Sequence, residues 1–356
     1  MKRIVALAGI LDGQDDENDD STSGEGTTAR AVPHSGWRHG PIVLGIVSYV
    51  ALLLLLAGLA GIGRNLMNTP SASASDPTIM AAGDIACDSL RSAESAPEDG
   101  AKAASDCQMN LTANLLVREH PAAVLPLGDD QYTNGALQEF ERSYDTTWGR
   151  VKAITHPVPG NHEYLTRGAR GYYDYFGEAA GSRSRGYYSF DLGRWHLVAL
   201  NSNCAYIGGC GPGSPEVQWL RADLAQHHNV CTLAYWHHPR FSSGEHGNDL
   251  RMKPLWDVLY RYHADVVLNG HDHDYERFAL QNPSGLNDPR GLREFVVGTG
   301  GASHYSLRRY ADNSEVFNAQ TYGVLKLTLH ADSYDWQFLP VAGGTFADSG
   351  TDSCHR

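Results

Sequence analysis

Residues 264–273, Ala264-Asp265-Val266-Val267-Leu268-Asn269-Gly270-His271-Asp272-His273, set an apolar run directly before a glycine and two histidines. The run is short and ends at a turn residue, which predicts a buried strand over 264–268 that stops at the polar cluster. Four other segments repeat this arrangement. Thr78–Ala82 leads into Gly83-Asp84, and Ala122–Leu127 into Gly128-Asp129-Asp130-Gln131-Tyr132. Ile154–Val158 leads into Pro159-Gly160-Asn161-His162-Glu163, and Val230–Trp236 into His237-His238-Pro239. Ligands of open α/β sheets bind beyond the carboxyl ends of the strands, so the five clusters are expected to converge on one crevice.

Working outward, a further strand is predicted at Trp195–Leu200, and helices lie between the strands. One helix begins near Asn110, with Leu111, Leu115 and Arg118 at helical spacing. Another opens at Ser214-Pro215, an N-cap followed by proline at the first helical position. A third covers 253–262. The C-terminal part turns to strands at Glu294–Val297, Tyr322–Leu329 and Ser333–Leu339. Strands alternating with helices and followed by extra strands read as an α/β domain. Gly298-Thr299-Gly300-Gly301 lacks the Lys-Ser/Thr of a phosphate loop and reads as a strand-end turn.

The 356 residues are 42% hydrophobic, enough to fill a real core, and carry a formal net charge of -13. That charge argues against non-specific nucleic-acid binding, so an anionic ligand has to be held by local positive groups or by metal. Residues 1–40, with an acidic run from Asp12 to Asp20, read as a disordered cytoplasmic tail. Residues 41–63 carry no charge. As a helix at about 1.5 Å per residue, a run of this length crosses a hydrocarbon core of about 30 Å. It reads as a transmembrane signal anchor, or as a signal segment cleaved after Ala74, and either reading exports the rest. Residues 64–76 form a linker, and 77–356 form the catalytic domain. All six cysteines lie in the exported part and suggest disulfides. Short separations favour Cys87–Cys107 and Cys204–Cys210. Cys231–Cys354 remains, unless Cys231 is a buried thiol.

Carboxylate, phenolate, imidazole and amide oxygen are together ligands for hard or borderline cations, and no thiolate is among them. Two cations sharing a carboxylate would clamp the attacking and leaving oxygens of a phosphoryl transfer. The set Gly83-Asp84, Gly128-Asp129-x-x-Tyr132, Gly160-Asn161-His162-Glu163, His237-x-Pro239 and Gly270-His271-x-His273 resembles the calcineurin-like metallophosphoesterases. More narrowly it resembles the purple acid phosphatases and their bacterial relatives. Most of the broad superfamily carries a ligand histidine where Ala86 stands here. The purple acid phosphatases also lack it and supply a tyrosine three residues after the second aspartate, which matches Tyr132.

The resemblance implies an α/β/β/α sandwich with a dimetal site at the carboxyl ends of its strands. Asp129 would bridge the metals. Asp84, Tyr132 and His273 would complete one position, holding Fe(3+), and Asn161, His237 and His271 the other, holding divalent zinc, manganese or iron. His162 and His246 would bind phosphate and protonate the leaving group, with His238 contacting substrate. The expected activity is hydrolysis of phosphate esters, mainly monoesters, by a metal-bound hydroxide. A phosphodiesterase or nucleotidase built on the same centre is the alternative, and a non-catalytic membrane-anchored binding module is a further one. The expected partners are a phosphate-ester substrate and, through the N-terminal segment, a membrane.

Overall fold

The computed structural model describes residues 76–88, 90 and 107–355. The tail, the apolar segment and all of the linker except Asp76 lie outside these residues. Among the described residues, no helix is long and apolar enough to cross a membrane.

Among the described residues, twelve strands and four longer helices follow one another: β1 Thr78–Ala82, α1 Met109–Glu119, β2 Ala123–Pro126, α2 Arg170–Phe176, β3 Tyr188–Leu192, β4 Trp195–Ala199, α3 Pro215–Gln226, β5 Cys231–Tyr235, α4 Lys253–Arg261, β6 Val266–Asn269, β7 Tyr275–Phe278, β8 Arg293–Val297, β9 Ser314–Asn318, β10 Gly323–Leu329, β11 Ser333–Pro340 and β12 Ser349–Ser353. One sheet has the order β12-β11-β10-β1-β2 and the other β3-β4-β5-β6-β8-β7-β9. Within them β1 runs parallel to β2, and β4, β5, β6 and β8 run parallel to one another. The carboxyl ends of β1 and β8 meet where the N–H of Gly83 donates to Val297 O over 2.9 Å.

Alternation along the second sheet sorts its side chains between two cores. Leu197, Leu233, Leu268 and Phe295 join the core that holds Ile79, Leu325 and Trp336 of the first sheet. Their neighbours Val198, Ala234, Val267 and Val296 face Val217 and Leu220 of α3 and Leu255 and Trp256 of α4. Sheet on sheet with helices outside is the expected sandwich. Ser214 caps α3 as the sequence predicts, its side chain accepting from the N–H of Val217.

The expected strand at Ile154–Val158 is a correction. The N–H groups of His156 and Val158 donate to Val124 O and Pro126 O over 2.8 and 3.2 Å, but only Thr155 makes a bridge. Pro157 and Pro159 have no N–H, so no regular ladder develops. The segment still runs beside β2 and delivers Asn161 to the crevice. Strands β3, β7, β9 and β12 were absent from the sequence reading. β12, Ser-Gly-Thr-Asp-Ser, has no apolar face to read and is an edge strand.

All three disulfides match the expected pairs: Cys87–Cys107, Cys204–Cys210 and Cys231–Cys354. The third joins the start of β5 to the residue after β12 across 123 positions, and so ties the two sheets together. Removing so long a closure with Cys231→Ala and Cys354→Ala is expected to cost about 4 kcal/mol, read from urea unfolding. A loss under about 1 kcal/mol would show that this bridge hardly restricts the unfolded chain.

His196 of β4 is buried, and its Nδ1 and Nε2 each lie 2.8 Å from a carboxylate, Asp191 of β3 and Asp223 of α3. With both nitrogens donating, the ring is an imidazolium. Burial opposes that charge, but the bonds to Asp223 and Asp191 overcome it and raise the pKa. Because the folded value stands above the unfolded one, the stabilisation is complete below about pH 6.5 and is lost as pH rises through the folded value. His196→Gln is therefore expected to flatten the alkaline fall of Tm with pH. Parallel Tm curves for the two proteins would mean that His196 is uncharged.

Candidate metal centre

The loops that leave β1, β2, the 155–158 segment, β5 and β6 bring the seven expected ligands together. Around one position, Tyr132 Oη lies 3.0 Å from Asp84 Oδ1, 2.9 Å from His273 Nε2 and 3.3 Å from Asp129 Oδ2. His273 Nε2 is 3.2 Å from Asp84 Oδ1. Around the adjoining position, His237 Nε2 lies 3.3 Å from Asp129 Oδ2, 3.1 Å from Asn161 Oδ1 and 3.2 Å from His271 Nδ1. The same oxygen, Asp129 Oδ2, belongs to both groups. Asp84 presents Oδ1 alone, because its Oδ2 accepts the backbone N–H of His271 over 2.8 Å.

These atoms fit cations better than they fit one another. His237 Nδ1–H donates to Leu127 O over 2.9 Å, and His273 Nδ1–H donates to Ser303 O. Each Nε2 is thereby left as a lone pair among carboxylate and amide oxygens. One proton serves only one such contact, whereas a cation serves all of them. Ligands held at about 2.1 Å from a common ion lie about 3 Å apart along an octahedral edge, close to the separations seen. Burial opposes protonation of His237, yet the charge of Asp129 raises its pKa to about 9, which shows how strongly the surrounding carboxylates favour positive charge at this position. Burial and the neighbouring histidines keep His271 neutral, as a ligand must be. The Tyr132 phenol is pushed well up by burial and by the Asp84 and Asp129 charges.

The backbone is shaped to this arrangement. Asp84, Asp129 and His271 occupy the left-handed region at φ 60°, 48° and 74°, a strain that collects at functional sites. At Gly160 a Cβ would stand 2.1 Å from Asp129 Oδ1, and at Gly270 2.7 Å from Asp84 Oδ2, so neither position admits a side chain.

The three remaining histidines differ in access. His162 is fixed by its backbone N–H, donating to Asp129 Oδ1 over 2.9 Å, and by Nδ1–H, donating to Thr133 O over 2.6 Å. Its Nε2 faces the cluster, 3.8 Å from Asp129 Oδ2. His246 is the most open, its side chain 43% exposed, with its ring packed 4.1 Å from that of His271. His238 is only 7% exposed and bonded through Nδ1 to Ser202 Oγ over 2.7 Å, so the structure places it beside the centre with little surface to offer a substrate.

Sequence reasoning left several contributors without a role. Glu163 Oε2 accepts from the N–H groups of Asp129 and Gly160 over 3.0 and 2.7 Å, and Oε1 from Gln131 over 3.2 Å, which pins two ligand loops together. Asp272 Oδ1 accepts the backbone N–H and the Nδ1–H of His246 over 2.8 and 2.9 Å, orienting that ring. Both stand inside the quoted motifs, so their positions were visible although their partners were not. Tyr305 lies flat on His273, with ring centroids 3.8 Å apart, and nothing in its local sequence marks it. A second group of ligand types, His196, Asp223 and His227, also comes together. Both nitrogens of His196 are occupied there and its ring stacks on His227, so His196 has no lone pair free for a metal.

The sequence model of the calcineurin-like phosphoesterase family matches residues 77–275. Purple acid phosphatase 15 of Arabidopsis thaliana is 29% identical over 239 residues, which are 57% of this chain and 44% of that protein. Purple acid phosphatase 18 of the same plant is 32% identical over 155 residues, 41% of this chain and 34% of that one. The chain thus spans less than half the length of these curated relatives. Among solved structures, a purple acid phosphatase from yellow lupin (Lupinus luteus) seeds superposes with a TM-score of 0.63 at 19% identity, covering 78% of this chain and 54% of that one. GAP50 of Plasmodium, the anchor in the inner membrane complex, has the same fold with a TM-score of 0.54 at 12% identity, covering 79% and 90%. With its family match spanning more than half of the sequence, and with purple acid phosphatases among its relatives, the chain belongs to the calcineurin-like phosphoesterases.

Proposed function

We propose that the chain hydrolyses phosphate esters, phosphomonoesters foremost, at this centre. One observation carries the reading: seven side chains aim lone pairs at two adjoining positions that share Asp129 Oδ2, and His162 and His246 stand beside them. Asp84, Tyr132, His273 and Asp129 would hold one cation, and Asp129, Asn161, His237 and His271 the other. Bound there, the pair supplies the charge that acidifies water and offsets charge on the phosphoryl oxygens.

The protein's own groups do the rest. His162 keeps Nδ1–H on Thr133 O and offers Nε2 to a phosphoryl oxygen. Burial opposes its protonation, but Asp129 raises its pKa, which favours the donor form. In His246 the hydrogen bond to Asp272 raises the pKa and fixes Nδ1, leaving the Nε2 proton for the departing alkoxide.

A phenolate is a hard anionic donor that favours a trivalent ion, which supports ferric iron at the position of Tyr132 and divalent zinc, manganese or iron at the other. Tyr132→Phe is expected to lose iron and any visible absorption while the far-ultraviolet circular dichroism stays unchanged. A variant that keeps both iron and colour would remove the phenolate from the centre.

The test of activity compares p-nitrophenyl phosphate with bis-p-nitrophenyl phosphate, using the chain loaded with iron and zinc or manganese. Preference for the monoester supports the phosphatase reading, and preference for the diester moves the chain to the phosphodiesterases. No hydrolysis of either by a protein holding both metals would overturn the proposal.

A further inference from the structure

Beside His246 the site is bounded by two stretches of chain, 241–248 and 303–312. The second starts at the centre itself. Ser303 O accepts from His273 Nδ1–H, and the Tyr305 ring lies flat on His273 and 5.4 Å from His246. Three residues on, the backbone N–H groups of Arg308 and Arg309 both donate to Ser243 O, over 3.0 and 3.2 Å, which ties this stretch to the one that carries His246. Between them opens a cavity of about 390 Å³, lined among others by Ser242, Gly244, Gly247, Asn248, Arg308 and Arg309. Gly244 and Gly247 of this lining stand on either side of Glu245 and His246 in the chain.

The lining chemistry is selective. Both arginines are exposed, and among the described residues neither side chain takes part in an ion pair. Each guanidinium offers five N–H donors in the fork that matches phosphate oxygens. Asn248 Oδ1 already accepts the N–H of Ser242 over 2.9 Å, so what remains on that side chain is its Nδ2 donors. Asp312 is the one carboxylate of the lining, and it leaves the two cations in excess. In a chain of formal charge -13, a cationic hollow next to a phosphate-hydrolysing centre is a local exception to the surrounding field.

We propose that this cavity is a subsite for a second phosphoryl group, and that the centre acts on esters carrying two phosphates in preference to those carrying one. The inference rests on the phosphoesterase reading above. One phosphoryl group would occupy the centre. The body of the substrate would pass His246, and its other phosphate would meet Arg308, Arg309 and Asn248.

The experiment measures kcat/KM of the full, metal-loaded chain for glucose 1,6-bisphosphate and for glucose 6-phosphate, which differ by one phosphoryl group. The wild-type ratio is expected to favour the bisphosphate by about tenfold or more, beyond the statistical gain of a second phosphate, and to shrink as salt is raised. In the double variant Arg308→Ala, Arg309→Ala that ratio is expected to fall fivefold or more, chiefly through KM for the bisphosphate. A wild-type ratio below threefold, or a fall of less than fivefold in the variant, overturns the subsite. If the wild type cleaves glucose 6-phosphate at an ordinary rate while showing such a ratio, the phosphoesterase reading stands and only the subsite fails. If it cleaves neither sugar phosphate nor p-nitrophenyl phosphate, the reading of the centre falls and the subsite falls with it.

Discussion

Asp129→Asn is expected to lower kcat for p-nitrophenyl phosphate by at least about 10³-fold, some 4 kcal/mol of barrier, and to release metal from the protein. Asp129 Oδ2 is the only atom shared by the two ligand groups, so the substitution weakens both positions at once. The amide keeps an oxygen but loses the negative charge that two cations require between them. Its nitrogen also brings hydrogens into a space where Tyr132 Oη and His237 Nε2 lie 3.3 Å away. The other oxygen, Oδ1, accepts the N–H of His162, so the position of that histidine is disturbed in the same step. Activity and elemental analysis check the expectation together. A variant with near-normal turnover and two bound metals would show that Asp129 does not bridge them.

Gly160→Ala is expected to cost about 10²-fold or more in kcat/KM although it removes no ligand, because displacements near 1 Å carry penalties of that size. The new Cβ would stand 2.1 Å from Asp129 Oδ1 and 2.3 Å from Asp129 N, far inside contact distance. The usual relief, separation of the two loops, is blocked because Glu163 Oε2 accepts from Gly160 and Asp129 simultaneously. Either that buried clamp breaks or the Asp129 carboxylate rotates out of place. Asn161, the next residue, moves with the loop, so the position it shares with His237 and His271 is expected to lose its ion first. Metal content, kcat/KM and a thermal melt on one preparation separate the outcomes. Two retained metals with unchanged kcat/KM would mean that the loops part at little cost.

The two substitutions act through features of different legibility. The five strand-end clusters could be picked out of the chain because they are local, with an apolar run, a turn residue and donor side chains within a few residues of one another, and the resemblance to the purple acid phosphatases assigned the ligands within them. The order Gly83-Asp84, Gly128-Asp129, Gly160-Asn161, His237 and Gly270-His271 needed only the assumption of a sheet whose carboxyl ends meet. The alternation of strands and helices and the N-cap at Ser214 were local in the same way. The Cys87–Cys107 and Cys204–Cys210 pairs were favoured by short separation, whereas Cys231–Cys354 followed only by elimination.

Contacts between distant loops were not open to that reading. Ile154–Val158 has the composition of a strand, but Pro157 within it and Pro159 just after it withhold the donors of a ladder, and only the neighbouring β2 shows how much pairing survives. β12 is held by pairing with β11 rather than by any pattern of its own. The Glu163 clamp, the orientation of His246 by Asp272, the stacking of Tyr305 on His273 and the meeting of Arg308 with the His246 loop are all settled by packing. The chain alone determined which side chains offer lone pairs and in what order they occur, since those are properties of residue type and short-range pattern. Tertiary structure decided that one oxygen of Asp129 lies in both ligand groups and which nitrogen each histidine presents. It also decided what sits beside the centre, because each of these depends on contacts between segments that only folding brings to between 2.9 and 3.3 Å.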